Sequence, residues 1–502
     1  MPGSVKPAEA GYNFPYEYFV TDALCQINGL VIILYCAVKK NSSLLFYSVT
    51  VIFFSVAIYF FIRQGVQLQQ GKSTVFVPAV NASTWQQFKE TLVHNLTHPL
   101  AILLLQILTI ILVARVFGVF FKKIGQPTVI GEIIAGIFLG PSFLATYLPA
   151  YSDFLFPAKS LPNLQFLSQI GLILFMFVIG MELDLKVLRS KAKDAIVISH
   201  ASIIFPFTLG TGLAYFIYKN YAPPNVGFIA FALFMGVAMS ITAFPVLARI
   251  VQERGLSKTK LGTIVITCAA ADDITAWCIL AVVIAIVKAG SVLSAFYTIF
   301  LALAYMIVMI RLVQPFLRKL GEKHSGSETF SKSMVAVFFV TMLLSSFATE
   351  VIGIHALFGA FMAGVIMPAN TQFRNVIIGK VEDVALVLLL PLFFVFTGLR
   401  TEIGLLNTPG LWLVCAAIII VAVIGKFLGS ALAARYVGQS WPDSLSIGAL
   451  MNTRGLMELV VLNIGYDLGV LSPEIFAMMV IMALVTTLMT GPALNLVNRL
   501  KR

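Results

Sequence analysis

Two neighbouring carboxylates, Asp272 and Asp273, lie near the centre of the apolar segment LGTIVITCAAADDITAWCILAVV. A charge in the middle of a bilayer costs at least about 2.5–3.5 kcal/mol on insertion scales, so such residues are candidates for function. Successive residues on a helix point about 100° apart, so one carboxylate can face a partner helix while the other faces a cavity. The pair is therefore a candidate functional site within the membrane.

Three more charged residues lie deep in apolar segments. Lys426 is near the centre of CAAIIIVAVIGKFLGSALAA, and it is the expected counter-ion of the acid pair. A structural alternative is an Asp–Lys pair that only locks two helices together, but it leaves one of the two carboxylates unexplained. Arg454 and Glu458 are four residues apart in ALMNTRGLMELVVLNIG, the spacing of an ion pair along one helix.

The composition indicates a membrane protein. Of 502 residues, 59% are hydrophobic and 11% are charged, whereas soluble domains carry roughly 45–50% and about 25%. The net charge of +12 is explained by basic loops on the cytoplasmic side, so we expect no nucleic-acid partner. The five cysteines stand inside apolar runs without a CxxC spacing, so we expect no disulfide framework, no cysteine metal site and no cofactor.

Hydropathy predicts an all-α, multi-pass fold. Two early helices are expected near 18–38 and 43–63, followed by a polar external loop, and these make residues 1–96 an N-terminal extension. Thirteen more helices are expected from residue 97 to the end. With this number of helices, the loops that carry most Lys and Arg all fall on the same side of the membrane, which predicts an external N-terminus and a cytoplasmic C-terminus. The expected location is a cell (inner) membrane. The thirteen predicted segments are 97–121, 128–148, 164–183, 195–218, 226–250, 261–287, 291–315, 332–351, 353–368, 381–399, 410–436, 444–466 and 474–497.

Two of these helices are expected to be broken at mid-depth. Segment 226–250 contains Ser240 and Thr242 before Pro245, and segment 444–466 contains Asn452 and Thr453 before a glycine. Unwound backbone within a membrane is tolerated where it lines a cavity, and broken helices at matching places of two halves indicate a transport site. Counted from residue 97, they are the fifth and twelfth helices. The two broken helices are therefore seven helices apart. Because seven is odd, the two halves of the domain are expected to have opposite orientations in the membrane, with the two breaks crossing each other.

Six stretches of the sequence together resemble the monovalent cation:proton antiporters. The likeness is greatest to their second superfamily, which includes bacterial Na+/H+ antiporters, potassium efflux antiporters and plant cation/H+ exchangers, and it covers about residues 97–500. The stretches are GEIIAGIFLGPSFL, SITAFPVLARI, AADDITAWCILAVV, GIHALFGAFMAGVIMP, GKFLGS and NTRGLMELVVLNIG.

The resemblance implies a thirteen-helix domain with a mobile core, about 195–287 and 410–497, and a dimerisation scaffold formed by the rest. It also implies that Asp273 binds the cation or a proton, while Asp272 pairs with Lys426. The unwound segments lie beside them, so the residues expected to line the site are Ser240, Thr242, Asn452 and Thr453, with Arg454 and Glu458 in support.

The predicted function is therefore exchange of a monovalent cation, Na+ or K+, for protons by alternating access in a homodimer, with no enzymatic reaction. A cation channel is one alternative, but the sequence lacks a TVGYG-like filter. An intramembrane aspartyl protease is the other. Tyr466–Asp467 supplies a YD pair, yet no GxGD accompanies it, because Asp272 follows three alanines.

Overall fold

The computed structural model describes residues 46–65, 68, 84–182, 192–256, 259–289, 292–323, 332–368 and 371–500. Every regular element in these ranges is a helix. Helices satisfy their own backbone hydrogen bonds, which lipid cannot do for them. Among the described residues, eleven helices are long and apolar enough to cross a membrane, and a bent pair taken as one span makes a twelfth. The predicted all-α, multi-pass fold is confirmed.

The chain forms two compact units, one up to Leu92 and one from Val93 onward. The first unit contains the helix Phe46–Gly65, which is apolar and exposed along nearly its whole length, and which corresponds to the segment predicted at 43–63. A further helix, Thr84–Leu96, contains the boundary. The helix predicted at 18–38 lies outside the described residues.

The second unit contains a helical segment for each of the thirteen predicted crossings. One, Ala356–Val365, is short, and two are broken. Three contain a π-helical turn, at Met309–Val313, Val384–Leu389 and Ile424–Leu428. In chain order the crossings are Pro99–Lys123, Thr128–Tyr147, Leu161–Glu182, Ala192–Tyr221, Phe228–Ser240 with Phe244–Glu253, Lys260–Lys288, Val292–Val308 continuing to Lys323, Lys332–Ile352, Ala356–Val365, Thr371–Asp383 continuing to Leu399, Pro409–Tyr436, Trp441–Met451 with Leu456–Asp467, and Pro473–Leu500.

Some residues expected in loops are helical. The predicted loop 369–380 is largely within Thr371–Asp383, the loop 316–332 begins within Gln314–Lys323, and the polar stretch 64–96 ends in Thr84–Leu96. These segments are too polar for a hydropathy window to detect, although few of their residues oppose a helix. Short helices at Leu144–Tyr147 and Pro149–Leu155 and a turn at Ile403–Leu405 complete the structure.

Five elements form the region of the predicted acid pair: the helix that carries the pair and four elements around it. Each is named here by its characteristic residue or break. They are the aspartate helix (Lys260–Lys288), the lysine helix (Pro409–Tyr436), the serine helix (Ala192–Tyr221), the first broken helix (Phe228–Ser240 and Phe244–Glu253) and the second broken helix (Trp441–Met451 and Leu456–Asp467).

Glycine lets the lysine helix approach its neighbours closely. A Cβ on Gly425 would lie 2.8 Å from the Pro206 Cα of the serine helix, and one on Gly448 of the second broken helix would lie 2.6 Å from the Phe427 oxygen. Real Cβ atoms essentially never come that close, so a side chain at either position would push the helices apart. The residue after Gly425 is Lys426, so this packing brings the lysine to the acid pair.

Candidate ion-binding site

The two broken helices meet at their breaks. The first is interrupted between Ser240 and Phe244, where the chain is extended, and the second between Met451 and Leu456, where its halves are bent by 42°. The Ala243 N–H donates to the Thr453 carbonyl oxygen at 3.1 Å. The two unwound segments therefore satisfy part of each other's backbone, as non-helical chain at membrane depth must.

Proline helps to place the first break. Pro245 is in the first turn of Phe244–Glu253. The N–H that proline lacks would have no helical partner there, so the new half-helix begins without loss. A continuous helix would instead have lost a backbone hydrogen bond and met the proline ring.

Two cations cap the carbonyl end of Phe228–Ser240. The Lys426 ammonium donates to the Ser240 oxygen, and the Arg454 guanidinium donates to the oxygens of Ala238 at 2.9 Å and Met239 at 2.6 Å. The last carbonyls of a helix lack helical partners and carry partial negative charge. Both cations are therefore neutralised partly by backbone and only partly by carboxylates.

Asp272 is completely buried and fully hydrogen-bonded. Its Oδ1 accepts from Ser199 Oγ at 2.6 Å, and its Oδ2 accepts from Ser202 Oγ at 2.5 Å and Thr242 Oγ1 at 2.7 Å. The Lys426 Nζ lies 3.1 Å from Oδ2, and neither side chain of this ion pair is exposed. Because three hydroxyls and an ammonium stabilise the charged form, Asp272 has the surroundings of a fixed anion.

Asp273 has the opposite surroundings. It is 2% exposed, and neither of its carboxylate oxygens has a hydrogen-bond partner. The Phe244 N–H, at the start of a half-helix, points towards the carboxyl group without forming a hydrogen bond of standard geometry. An isolated buried carboxylate is expensive to ionise, so this group needs a proton or a bound cation.

The other predicted site residues lie around the same breaks. Ser240 donates its hydroxyl to backbone oxygens of Ile203 and Gly236, so its carbonyl, and not its hydroxyl, faces Lys426. Thr453 pairs with the Thr490 hydroxyl at 3.2 Å. Asn452 is buried, and its Oδ1 has no partner.

Arg454 and Glu458 form an ion pair of 2.7 Å with no exposed side chain. Arg454 lies in the break itself and Glu458 in the first turn of Leu456–Asp467, so the pair joins the unwound segment to the half-helix that follows it and is not an ion pair along one helix, as the spacing predicted. The Glu458 Oε1 and the Arg454 Nε are left without hydrogen-bond partners. The backbone of Arg454 is fixed by Thr487, whose hydroxyl donates to the Arg454 oxygen at 2.7 Å.

Four hydroxyl residues of this site were not predicted from the sequence. Ser199 and Ser202 hold Asp272, and Thr487 and Thr490 support the second break. The serines are three residues apart, a spacing that places them on one face of the helix and was the signal available from the sequence. The threonines carry a weaker signal, because a helical threonine also bonds to its own backbone.

A π-helical turn, Ile424–Leu428, contains Lys426. Such turns are rare and often occur at functional sites. Lys426 is the one charged side chain that the lysine helix buries, and it lies in the middle of this turn. Within the described residues, no group of three or more His, Cys, Asp or Glu side chains is arranged to hold a metal ion.

Residues 107–498 match the family model described as "Sodium/hydrogen exchanger, transmembrane". The chain is 46% identical over 397 residues to the Na(+)/H(+) antiporter NhaS4 of Synechocystis sp., covering 79% of this chain and 97% of that relative. It is 41% identical over 398 residues to Cation/H(+) antiporter 17 of Arabidopsis thaliana, and 33% identical over 413 residues to K(+)/H(+) antiporter 1 of Saccharomyces cerevisiae. It covers 48% and 47% of these two, so it spans about half their length.

A solved structure has the same fold. The sodium proton antiporter MjNhaP1 from Methanocaldococcus jannaschii aligns with a TM-score of 0.61 at 14% sequence identity, covering 80% of this chain and 99% of the other. This likeness confirms the predicted antiporter fold. Together with the family model and the relatives, it shows that the chain belongs to the sodium/hydrogen exchanger family of monovalent cation:proton antiporters.

Proposed function

We propose that this chain exchanges a monovalent cation for protons across a membrane, and that the two compete for the Asp273 carboxylate. The observation that carries the proposal is that Asp273 is buried without any hydrogen-bond partner while its neighbour Asp272 is bonded on both oxygens. A site that only locked helices together would have no use for the second acid. The relatives named above are exchangers, and neither a channel nor a protease is among them.

Competition for one carboxylate couples the two fluxes. Ionised Asp273 attracts a dehydrated cation through oxygen ligands, and the free Asn452 Oδ1 is a second buried oxygen at the breaks. A proton on Asp273 abolishes that attraction. When Asp273 holds a proton or a cation, the site is close to neutral and can move past the apolar barrier. The empty site is charged, so its movement carries the full free-energy cost of desolvation. Exchange is therefore obligatory.

The proposed movement is a rigid-body shift of the core, about 195–287 and 410–497, against the rest of the chain. The serine, aspartate and lysine helices and both broken helices are joined by the hydrogen bonds described above, which supports their moving as one body. The resemblance supports a homodimer joined through the scaffold. The distribution of basic loops supports a cytoplasmic C-terminus.

The test is Asp273→Asn, assayed by pH-gradient dequenching in proteoliposomes titrated separately with Na+, K+ and Li+. An amide has no negative charge to exchange, so we expect the variant to fold and to lose exchange with every cation. Glu402→Gln, which neutralises an exposed acid away from the site, is the matched control and should keep wild-type exchange. Normal exchange by Asp273→Asn would overturn the proposal.

A further inference from the structure

A second polar cluster surrounds a cleft away from the acid pair. The cleft is lined by Gln165, His355, Arg400, Asn463 and Asp467. Asp467 is the last residue of Leu456–Asp467, a half-helix of 12 residues that begins at the break, so the cluster lies roughly 18 Å along the helix from the break. This distance separates the cluster from the candidate ion-binding site.

Four hydrogen bonds cross the cleft between the second broken helix and its neighbours. The Arg400 Nη1 donates to Asp467 Oδ1 at 2.7 Å and to Asn463 Oδ1 at 3.2 Å. The Gln165 amide donates to Asp467 Oδ2 at 3.2 Å, and the Asn463 amide donates to Thr397 Oγ1 at 2.8 Å. Asn463 and Asp467 belong to the core as defined above, whereas their three partners belong to the scaffold.

The arginine is held in place but remains in contact with solvent. Its guanidinium lies over the rings of Phe396, at 4.4 Å, and Tyr466, at 5.3 Å. The side chains of Arg400 and Asp467 are 17% and 37% exposed. Burial lowers the pKa of His355, so this ring is neutral near pH 7 and Arg400 supplies the positive charge that neutralises Asp467 in the cleft.

We propose that Arg400 and Asp467 form a latch that holds the half-helix Leu456–Asp467 against the scaffold in one access state and opens once in every transport cycle. The inference rests on the proposed function, since it requires the core to move. A contact of 2.7 Å cannot survive a shift of a few ångströms between the two bodies, so it exists in one of the two end states. A partly exposed ion pair stabilises that state only modestly, so it biases the equilibrium without locking it.

The experiment measures how fast a cysteine in the cleft reacts. Ser168 lines the cleft and is 1% exposed, so Ser168→Cys, in a variant without the native cysteines, reacts at a rate set by movement around it. We expect Arg400→Gln and Asp467→Asn each to change the rate about twofold to fivefold in the same direction. The double variant should change the rate by less than the product of the two single effects, because both substitutions remove the same ion pair. Unchanged rates, or effects that multiply in the double variant, would overturn the latch.

Two controls keep this test separate from the test of function. Arg115→Gln, which removes an exposed arginine far along the sequence, should leave the rate unchanged. The charge exchange Arg400→Asp with Asp467→Arg should return the rate towards wild type. If the two single effects multiply in the double variant while Asp273→Asn still loses exchange, the latch is wrong and the proposed function stands. Exchange by Asp273→Asn defeats the proposed function, while the cysteine rates still show whether Arg400 and Asp467 are coupled.

Discussion

Two buried ion pairs cap the same half-helix, but they differ in what surrounds them. Lys426–Asp272 joins two helices and adds three hydroxyl donors on its carboxylate, and its acid adjoins the unpartnered Asp273. Arg454–Glu458 joins the unwound break to the first turn of the half-helix that follows it, four residues apart. Neither pair has an exposed side chain.

The choice of cation separates the two pairs chemically. An arginine in a protein does not lose its proton, whereas a buried lysine can. The Arg454 guanidinium therefore keeps its charge, and we expect it to hold the carbonyl end of Phe228–Ser240 in both states of Asp273. Lys426 can release its proton, so we expect the lysine, and not the arginine, to take part in proton coupling.

The largest expected effect comes from breaking the lysine pair. Lys426→Ala leaves Asp272 buried without its counter-ion and leaves the Ser240 carbonyl without its cap, so we expect a loss of about 3–5 kcal/mol of stability. Exchange should also disappear, because a second uncompensated acid now competes with Asp273 for the proton. Thermal unfolding in detergent and dequenching in proteoliposomes measure the two losses.

A double variant separates charge from packing. Lys426→Met with Asp272→Asn removes both charges, and replacing both members of a buried pair is often neutral for stability. We expect this double variant to be more stable than Lys426→Ala, although the Ser240 carbonyl still lacks its cap, and to exchange one proton for one cation at Asp273. An unchanged melting temperature in Lys426→Ala alone would show that the pair does not matter for stability.

Breaking the arginine pair should affect stability and spare coupling. Arg454→Met leaves Glu458 and the carbonyls of Ala238 and Met239 without their donor, which we expect to cost about 3–5 kcal/mol. Glu458→Gln keeps an oxygen for the guanidinium and should cost less. In the protein that still folds, the number of protons moved per cation should equal that of wild type. A changed proton number in Glu458→Gln would place this pair in the transport reaction.

Much of this architecture follows from the cost of charge and the lack of water in a membrane. The charged site residues were recognisable because a charge in an apolar segment is costly to place in a membrane. They are Asp272, Asp273, Lys426, Arg454 and Glu458. The thirteen crossings were recognisable from apolar length, since a span needs about 20 such residues. Both signals belong to single stretches of chain, so no alignment of distant parts was needed.

What could not be predicted depends on contacts between distant parts of the chain. Ser199 and Ser202 bind Asp272, which lies 73 and 70 residues away in the sequence. A single serine in an apolar segment costs little free energy to bury, so it does not mark a functional site in the sequence. The acceptors of Arg454 are backbone oxygens about 215 residues away, which no side-chain pattern records. The π-helical turn at Lys426 has no residue pattern that would predict it from the sequence.

The smallest expected effect is the dependence of exchange on membrane potential, which tests directly whether the lysine changes its charge during transport. If Lys426 releases its proton when Asp273 exchanges its own, two protons move per monovalent cation and one net charge crosses the membrane. One charge across 100 mV is about 2.3 kcal/mol, so an imposed potential of that size should shift the equilibrium cation gradient about 50-fold. The Lys426→Met, Asp272→Asn variant has no second titrating group and should exchange without regard to potential. Proteoliposomes with a valinomycin-clamped potential distinguish these outcomes, and a wild-type equilibrium that ignores the potential would put Lys426 on the same footing as Arg454, as a fixed charge with a structural role.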